Sequence, residues 1–232
     1  MFLDADDLIS IDKIQLQVEA LSKSPADAIA SCAWGKFEHI QEEASFDPQQ
    51  VWTIQDPVDW CIQSWRGGGM MVPACWLIPR YIIENAGLWN EELTLHDDGE
   101  FMCRVLLKSK ANVFVPDAKV YYRQVQNSLS RQNKSYESAK SYLYVAQSYK
   151  RILSIRNDVP TKKTIARNFK IFIYEYHPKY RDLLDVAERE IVDLKISELP
   201  VVGGPSFIRI AKVIGFENAL RLRALLGTLK IS

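Results

Sequence analysis

The chain begins Met1-Phe2-Leu3 and runs directly into Asp4-Ala5-Asp6-Asp7. Three apolar residues that give way at once to three carboxylates read as the end of a buried strand delivering acidic side chains to a sheet edge. A buried parallel strand needs hydrogen-bonded neighbours on both sides, and parallel neighbours are joined by crossover helices. An α/β architecture follows. The βα units that would precede such a strand are absent from the sequence, so the chain is expected to be a piece of a longer reading frame.

Behind the acidic turn, Ser10 reads as an N-cap, and Ile14, Val18 and Leu21 recur at helical spacing up to Ser24-Pro25. Asp27 to Phe37 reads as a strand and the polar stretch Glu38 to Gln50 as a loop. A short helix from Pro57 to Arg66 is stopped by Gly67-Gly68-Gly69, a run that reads as a flexible lid, with a plain linker as the alternative. Met70 to Ile78 has the look of a second buried strand, followed by a helix from Pro79 to Ala86 with Gly87 as its stop. His96-Asp97-Asp98-Gly99-Glu100 opens a further helix carrying Phe101, Val105 and Leu106. Asn112 to Val115 and Ala118 to Arg123 are predicted strands flanking a Pro-Asp turn.

From about Ser128 the strand signal fades and successive amphipathic helices take over. One stripe is Tyr142, Ala146, Tyr149 and Leu153, and a second is Ile165, Phe169, Phe172 and Ile173. Leu183, Leu184, Ala187 and Ile191 form a third, and a Gly-Gly-Pro turn at 203–205 precedes the last helical stretch. The predicted division is therefore an α/β domain over 1–130 and a helical region over 131–232.

Lys plus Arg equal Asp plus Glu at 29 each, so no global field recruits nucleic acid or an anionic membrane. Cys32, Cys61, Cys75 and Cys103 lack CxxC spacing and sit among apolar neighbours, which fits reduced thiols in a cytoplasmic compartment. The N-terminus lacks a signal-peptide layout, and no apolar run approaches the ~20 residues that span a bilayer. Lys162, Lys163, Arg167 and Lys170 give one late helix a basic face, expected to be solvated, with contact to lipid head groups as the alternative. His39, His96 and His177 share no zinc-type spacing.

Two acidic clusters carry the chemistry. Hard divalent cations take oxygen ligands and complete their shell with water and substrate phosphates, so one or two carboxylates at a strand end suffice to hold one. The alternative for Asp4-Ala5-Asp6-Asp7 is a set of caps on the next helix. The second cluster, Asp97-Asp98, stands at a helix N-terminus, where a carboxylate beside an acceptor can take a hydroxyl proton. Trp89, shortly before it, is a candidate for stacking on a sugar ring.

Leu3-Asp4-Ala5-Asp6-Asp7, Gly87-Leu88-Trp89-Asn90-Glu91-Glu92-Leu93, Asp97-Asp98-Gly99-Glu100-Phe101 with Arg104, and Tyr121-Tyr122-Arg123 resemble, in this order, the family 2 glycosyltransferases of GT-A fold. The resemblance covers about Phe2 to Ser130. It implies a truncated, Rossmann-like GT-A mixed sheet flanked by helices, followed by an α-helical C-terminal region. By the same resemblance, Asp4 and Asp6 would hold Mg²⁺ or Mn²⁺, and Asp98 would be the catalytic base of an inverting transfer. Asp4, Asp97, Trp89 and Arg123 would bind substrate: a UDP-, GDP- or dTDP-sugar donor and a glycan, lipid-linked or small-molecule acceptor. Envelope or exopolysaccharide synthesis at the inner face of the membrane is the implied setting. The resemblance departs from the family after Arg123, where Gln124, Val125 and Gln126 replace a histidine that many members use on the metal, which implies a reduced metal affinity. The nucleotide-binding first half has no counterpart here, so a non-catalytic interaction module is the alternative reading.

Overall fold

The computed structural model describes residues 1–124 and 135–229. They fall into two compact units, Met1–Glu91 with Asp97–Asn133, and Glu92–His96 with Lys134–Ser232. The predicted division at 130/131 lies outside the described residues.

The first unit is mixed α/β. Its sheet has the order β1-β3-β2, with β1 spanning Leu8–Ile9, β2 Ala28–Phe37 and β3 Ala111–Arg123. β2 and β3 are parallel, and β1 pairs antiparallel with Val120 and Tyr121 of β3. Eight successive residues of β2, from Ala28 to Gly35, are buried, so both of its faces are covered and its sequence runs small and apolar instead of alternating. The two strands expected around the Pro-Asp turn are one strand. The register jumps from Cys32 opposite Val115 to Ala33 opposite Lys119, and the surplus residues Pro116 to Ala118 bulge where proline has no N–H for the ladder.

Met1-Phe2-Leu3 forms no strand and is partly exposed, with Phe2 at 38% and Leu3 at 44%. The expected strand end is not formed, because the antiparallel ladder with β3 starts only at Leu8. Helix α1, Lys13–Ser22, packs on β3 and β2, and the face it buries is not the expected one. Ile14 and Val18 are exposed, whereas Lys13 and Gln17 are fully buried. That polar pair satisfies itself: Lys13 Nζ donates to Gln17 Oε1 at 2.7 Å, and Gln17 Nε2 donates to the Cys75 carbonyl at 2.9 Å. Asp12, not Ser10, occupies the N-cap position; Ser10 instead exchanges two hydrogen bonds with the Lys119 main chain.

Helix α2, Pro57–Gln63, starts where Asp56 accepts the Asp59 N–H at 2.8 Å and Pro57 presets the first turn. The glycine run that follows is a packed turn, not a free lid. Ser64 Oγ donates to the Gly69 carbonyl at 2.8 Å, the Met70 N–H donates to Gln49 Oε1 at 2.7 Å, and Trp34 Nε1 donates to the Met70 carbonyl at 3.0 Å. Met70 to Ile78 is also not a strand. Pro73 bends it into a single 3-10 turn, Pro73–Cys75, and a lone bridge joins Leu77 to Ala30. Burial was the legible part, since Val72, Ala74, Cys75 and Trp76 all lie in the core. Cys32, Cys61, Cys75 and Cys103 are all buried free thiols. Helix α3, Arg80–Ala86, ends at Gly87, whose φ of 83° suits glycine; helix α4, Asp97–Lys108, packs against α2 and α3.

The second unit is helical: α5 (Tyr136–Leu153), α6 (Val159–Tyr176), α7 (Arg181–Asp193), α8 (Pro205–Ile214) and α9 (Phe216–Leu229). Helices α5 to α7 bury the predicted stripes against one another, with Ala146, Leu153, Phe169, Phe172, Leu184 and Ala187 at or near zero exposure. Ser135 caps α5 and Asp158 caps α6. Among the described residues no helix is long and apolar enough to cross a membrane.

Gly69 has φ 123° and ψ −177°, a region essentially reserved for glycine, and an added Cβ would meet the Gln49 side chain. Gly69→Ala is expected to lower stability by about 1–3 kcal/mol, read as a reduced midpoint in thermal or urea denaturation. An unchanged midpoint would mean that the turn is free to rearrange.

Candidate functional site

The acidic turn is built on the end of β3. Asp4 to Asp7 forms a β-turn closed by the Asp7 N–H donating to the Asp4 carbonyl at 3.2 Å. Asp7 turns inward and is 7% exposed, and its Oδ1 accepts the main-chain N–H of Arg123 at 3.0 Å. Arg123 holds the turn from the other side: Nε donates to the Asp6 carbonyl at 3.0 Å and Nη1 to the Glu38 carbonyl at 3.2 Å. Its guanidinium also stacks over Phe37, 4.4 Å from the ring centre. Arg123, expected to bind substrate, is thus engaged in positioning the turn. Asp4 and Asp6 remain exposed, and their carboxylates make no hydrogen bond or ion pair among the described residues.

Burial raises the Asp7 pKa above the ordinary carboxylate value. The Arg123 N–H and guanidinium oppose that rise, and the neighbouring charges of Asp4 and Asp6 add to it.

The second cluster sits on the first turn of α4, where the helix dipole favours negative charge. Asp97 Oδ2 accepts Trp89 Nε1–H at 2.8 Å, and Asp98 Oδ1 accepts the Gly99 N–H at 2.7 Å. Trp89 is placed by an ion pair that sequence reading passed over. Glu100, 3% exposed, takes Arg104 in a two-pronged grip at 2.9–3.0 Å. The remaining Arg104 donors reach back to the carbonyls of Ala86, Gly87 and Leu88, fixing the segment that ends in Trp89. The i, i+4 spacing of Glu100 and Arg104 was the available signal.

An aromatic group links the two clusters. Trp89 stacks on Phe101 at 4.5 Å, and Phe2 meets both rings edge-on at 5.4 Å. Asp4 follows Phe2 by two residues, so its Cα lies within about 7 Å of that of Phe2. The structure therefore brings Trp89 to Asp97, Arg123 to the acidic turn, and the chain just before Asp4 to the N-terminal end of α4. It does not gather a ready-made metal cage: among the described residues no three Asp, Glu, His or Cys side chains form a metal-holding group. Val125 and Gln126, expected to leave the metal without a histidine ligand, lie outside the described residues. No protein-family model matches this chain, and no curated protein is significantly similar to it.

Because its folded-state pKa is raised, Asp7 adds stability that is complete below about pH 3.8, its ordinary value, and is lost as pH rises through the raised value. Asp7→Asn keeps the acceptor for the Arg123 N–H and removes the buried charge. At pH 7 this variant should melt no lower than the wild type, with its advantage shrinking as pH falls toward 4. Thermal melts across that range check this, and a large loss of stability at pH 7 would contradict it.

Proposed function

We propose that this chain acts in glycosyl transfer, with the first unit as a GT-A-type module of family 2 that takes a nucleotide-sugar donor and an acceptor hydroxyl. The observation that carries the reading is the link from Phe2 through Trp89 to Asp97, which brings the chain just before the acidic turn against the ring that holds an α4 carboxylate. Asp4 and Asp6 suit a hard divalent cation, being exposed oxygen donors with no protein partner among the described residues. Such a cation, Mg²⁺ or Mn²⁺, would supply positive charge against the departing diphosphate.

The protein's own groups then have separate tasks. Asp98 accepts the acceptor's hydroxyl proton, and the freed oxygen bonds to the anomeric carbon as the bond to the diphosphate breaks. Attack from the face opposite the leaving group inverts the configuration. Asp97, held by Trp89, orients the acceptor beside Asp98, and Arg123 keeps the Asp4 to Asp7 turn in shape. A glycan, a lipid-linked sugar or a small molecule fits the acceptor role. Envelope or exopolysaccharide synthesis on the cytoplasmic side of a membrane is the setting consistent with this reading.

A second reading, an interaction module without turnover, is favoured by the apolar side chains Phe2, Leu3, Ile11, Ile14 and Val18, which the first unit leaves exposed.

Melting the protein with Mn²⁺ and UDP-, GDP- or dTDP-sugars separates the two. A ligand at 100 times its Kd stabilises the native state by about 2.7 kcal/mol, so one nucleotide class should raise the Tm, and Asp4→Asn with Asp6→Asn should abolish the rise. Nucleoside diphosphate release should fall about 10²–10⁴-fold in Asp98→Asn and stop in excess EDTA. A flat melt across all donors would favour the interaction module.

A further inference from the structure

The second unit contains a cavity of about 550 Å³ between α6, α7 and the start of α9. Its size lies within the range of small-molecule sites. Ile173, Ile191, Val192, Leu199 and Leu220 give it mostly apolar walls. One cation lies among them. Lys170, expected on a solvated basic face, is 6% exposed and lines this cavity, with Nζ 4.0 Å above the centre of the Phe216 ring.

A buried lysine normally has a carboxylate partner, because leaving water costs an ammonium several kcal/mol. Lys170 has no hydrogen bond and no ion pair among the described residues, and burial alone pushes its pKa down. Two carboxylates do line the cavity. Glu188 is committed to Arg181 at 3.1 Å, and Glu217 belongs to the first turn of α9, where it faces that helix's positive end. The same cavity receives Phe216, Glu217 and Asn218, the first residues of a 14-residue helix, whose N–H groups have no intrahelical acceptor. A mostly buried lysine with no hydrogen bond or ion pair among the described residues and a helix N-terminus therefore meet at this cavity.

We propose that this cavity binds an amphiphile with one aliphatic chain and one anionic head, a carboxylate or a phosphate monoester. The head sits between Lys170 Nζ and the α9 N-terminus, and the chain lies along Ile173, Ile191 and Leu199. The site belongs to the helical unit alone and does not depend on the glycosyl-transfer reading.

Calorimetric titration of the full chain with dodecanoate, dodecyl phosphate, dodecanol and inorganic phosphate, all below micelle formation, tests it. Saturable one-to-one binding of both anionic amphiphiles is expected, at least about tenfold tighter than dodecanol, with no measurable binding of inorganic phosphate. Lys170→Met keeps the side chain's length and apolar stem. It should fold with a Tm no lower than the wild type's and bind the anionic amphiphiles no better than dodecanol. Equal affinity for dodecanol and dodecanoate in the wild type, or an anionic preference that survives Lys170→Met, overturns the proposal, as does inorganic phosphate binding as tightly as dodecyl phosphate. Should Lys170→Met not fold, Leu199→Trp at the half-exposed rim takes its place. It should weaken dodecyl phosphate about tenfold, and unchanged affinity overturns the proposal.

Discussion

The hydrogen bond from the Arg123 main chain to the buried Asp7 carboxylate ties the start of the chain to the end of the sheet, 116 residues later. β1 is only two residues long, and a two-residue ladder cannot by itself hold the segment before it. Asp7 supplies the missing fastening, and the Arg123 side chain doubles it through the Asp6 carbonyl. Because Arg123 is the last residue of the central strand, the shape of the acidic turn is inherited from β3. β3 in turn is held along its length by β2. The position of Asp4 and Asp6 thus rests on a buried strand, although both residues are themselves exposed.

Most helix periods and the Gly87 stop were readable because each is a local property. Gly87 stands where capping chemistry puts it, and the stripes of α5, α6 and α7 are buried as their spacing indicated, whereas Ser10 is not the cap of α1. What was not readable depends on tertiary partners. The spacing of Ile14 and Val18 marks an apolar face on α1, but it does not say which face the sheet will meet. Here the sheet meets Lys13 and Gln17 instead. Met70 to Ile78 was apolar enough for a buried strand, yet burial is a matter of composition and pairing a matter of backbone. Pro73 removes a ladder donor and turns the segment over.

Lys13 and Lys170 show the same principle in opposite surroundings. Both lie within helices whose charge pattern suggests solvent, both are buried, and burial lowers both pKa values. Lys13 is accommodated by a nearby amide, since Gln17 Oε1 accepts a hydrogen bond from its Nζ and Gln17 Nε2 donates in turn to the Cys75 carbonyl. Among the described residues Lys170 meets the face of Phe216 and makes no hydrogen bond or ion pair. A ring face offers about 2 kcal/mol to a desolvated cation, less than the several kcal/mol that full burial of an ammonium costs. The first lysine is a closed structural unit, while the second has a ring face beside it and no hydrogen-bond acceptor among the described residues.

The carboxylates of the first unit divide on the same criterion. Asp7 is committed to Arg123, Glu100 to Arg104 and Asp27 to Lys110. A carboxylate whose lone pairs are already engaged by the protein has less to offer a ligand, and displacing its partner costs about what the original bond contributed. Asp4 and Asp6 differ, since the main chain around them is fixed on both sides while their oxygens carry no protein donor among the described residues. A rigid backbone with unengaged oxygens is the arrangement that spends least on reorganisation when a cation arrives. This contrast, more than the number of acidic residues, supports reading the turn as a binding element and not as a helix cap. A cap would show its oxygens on the N–H groups of α1, and at that helix the cap position belongs to Asp12, without a side-chain bond.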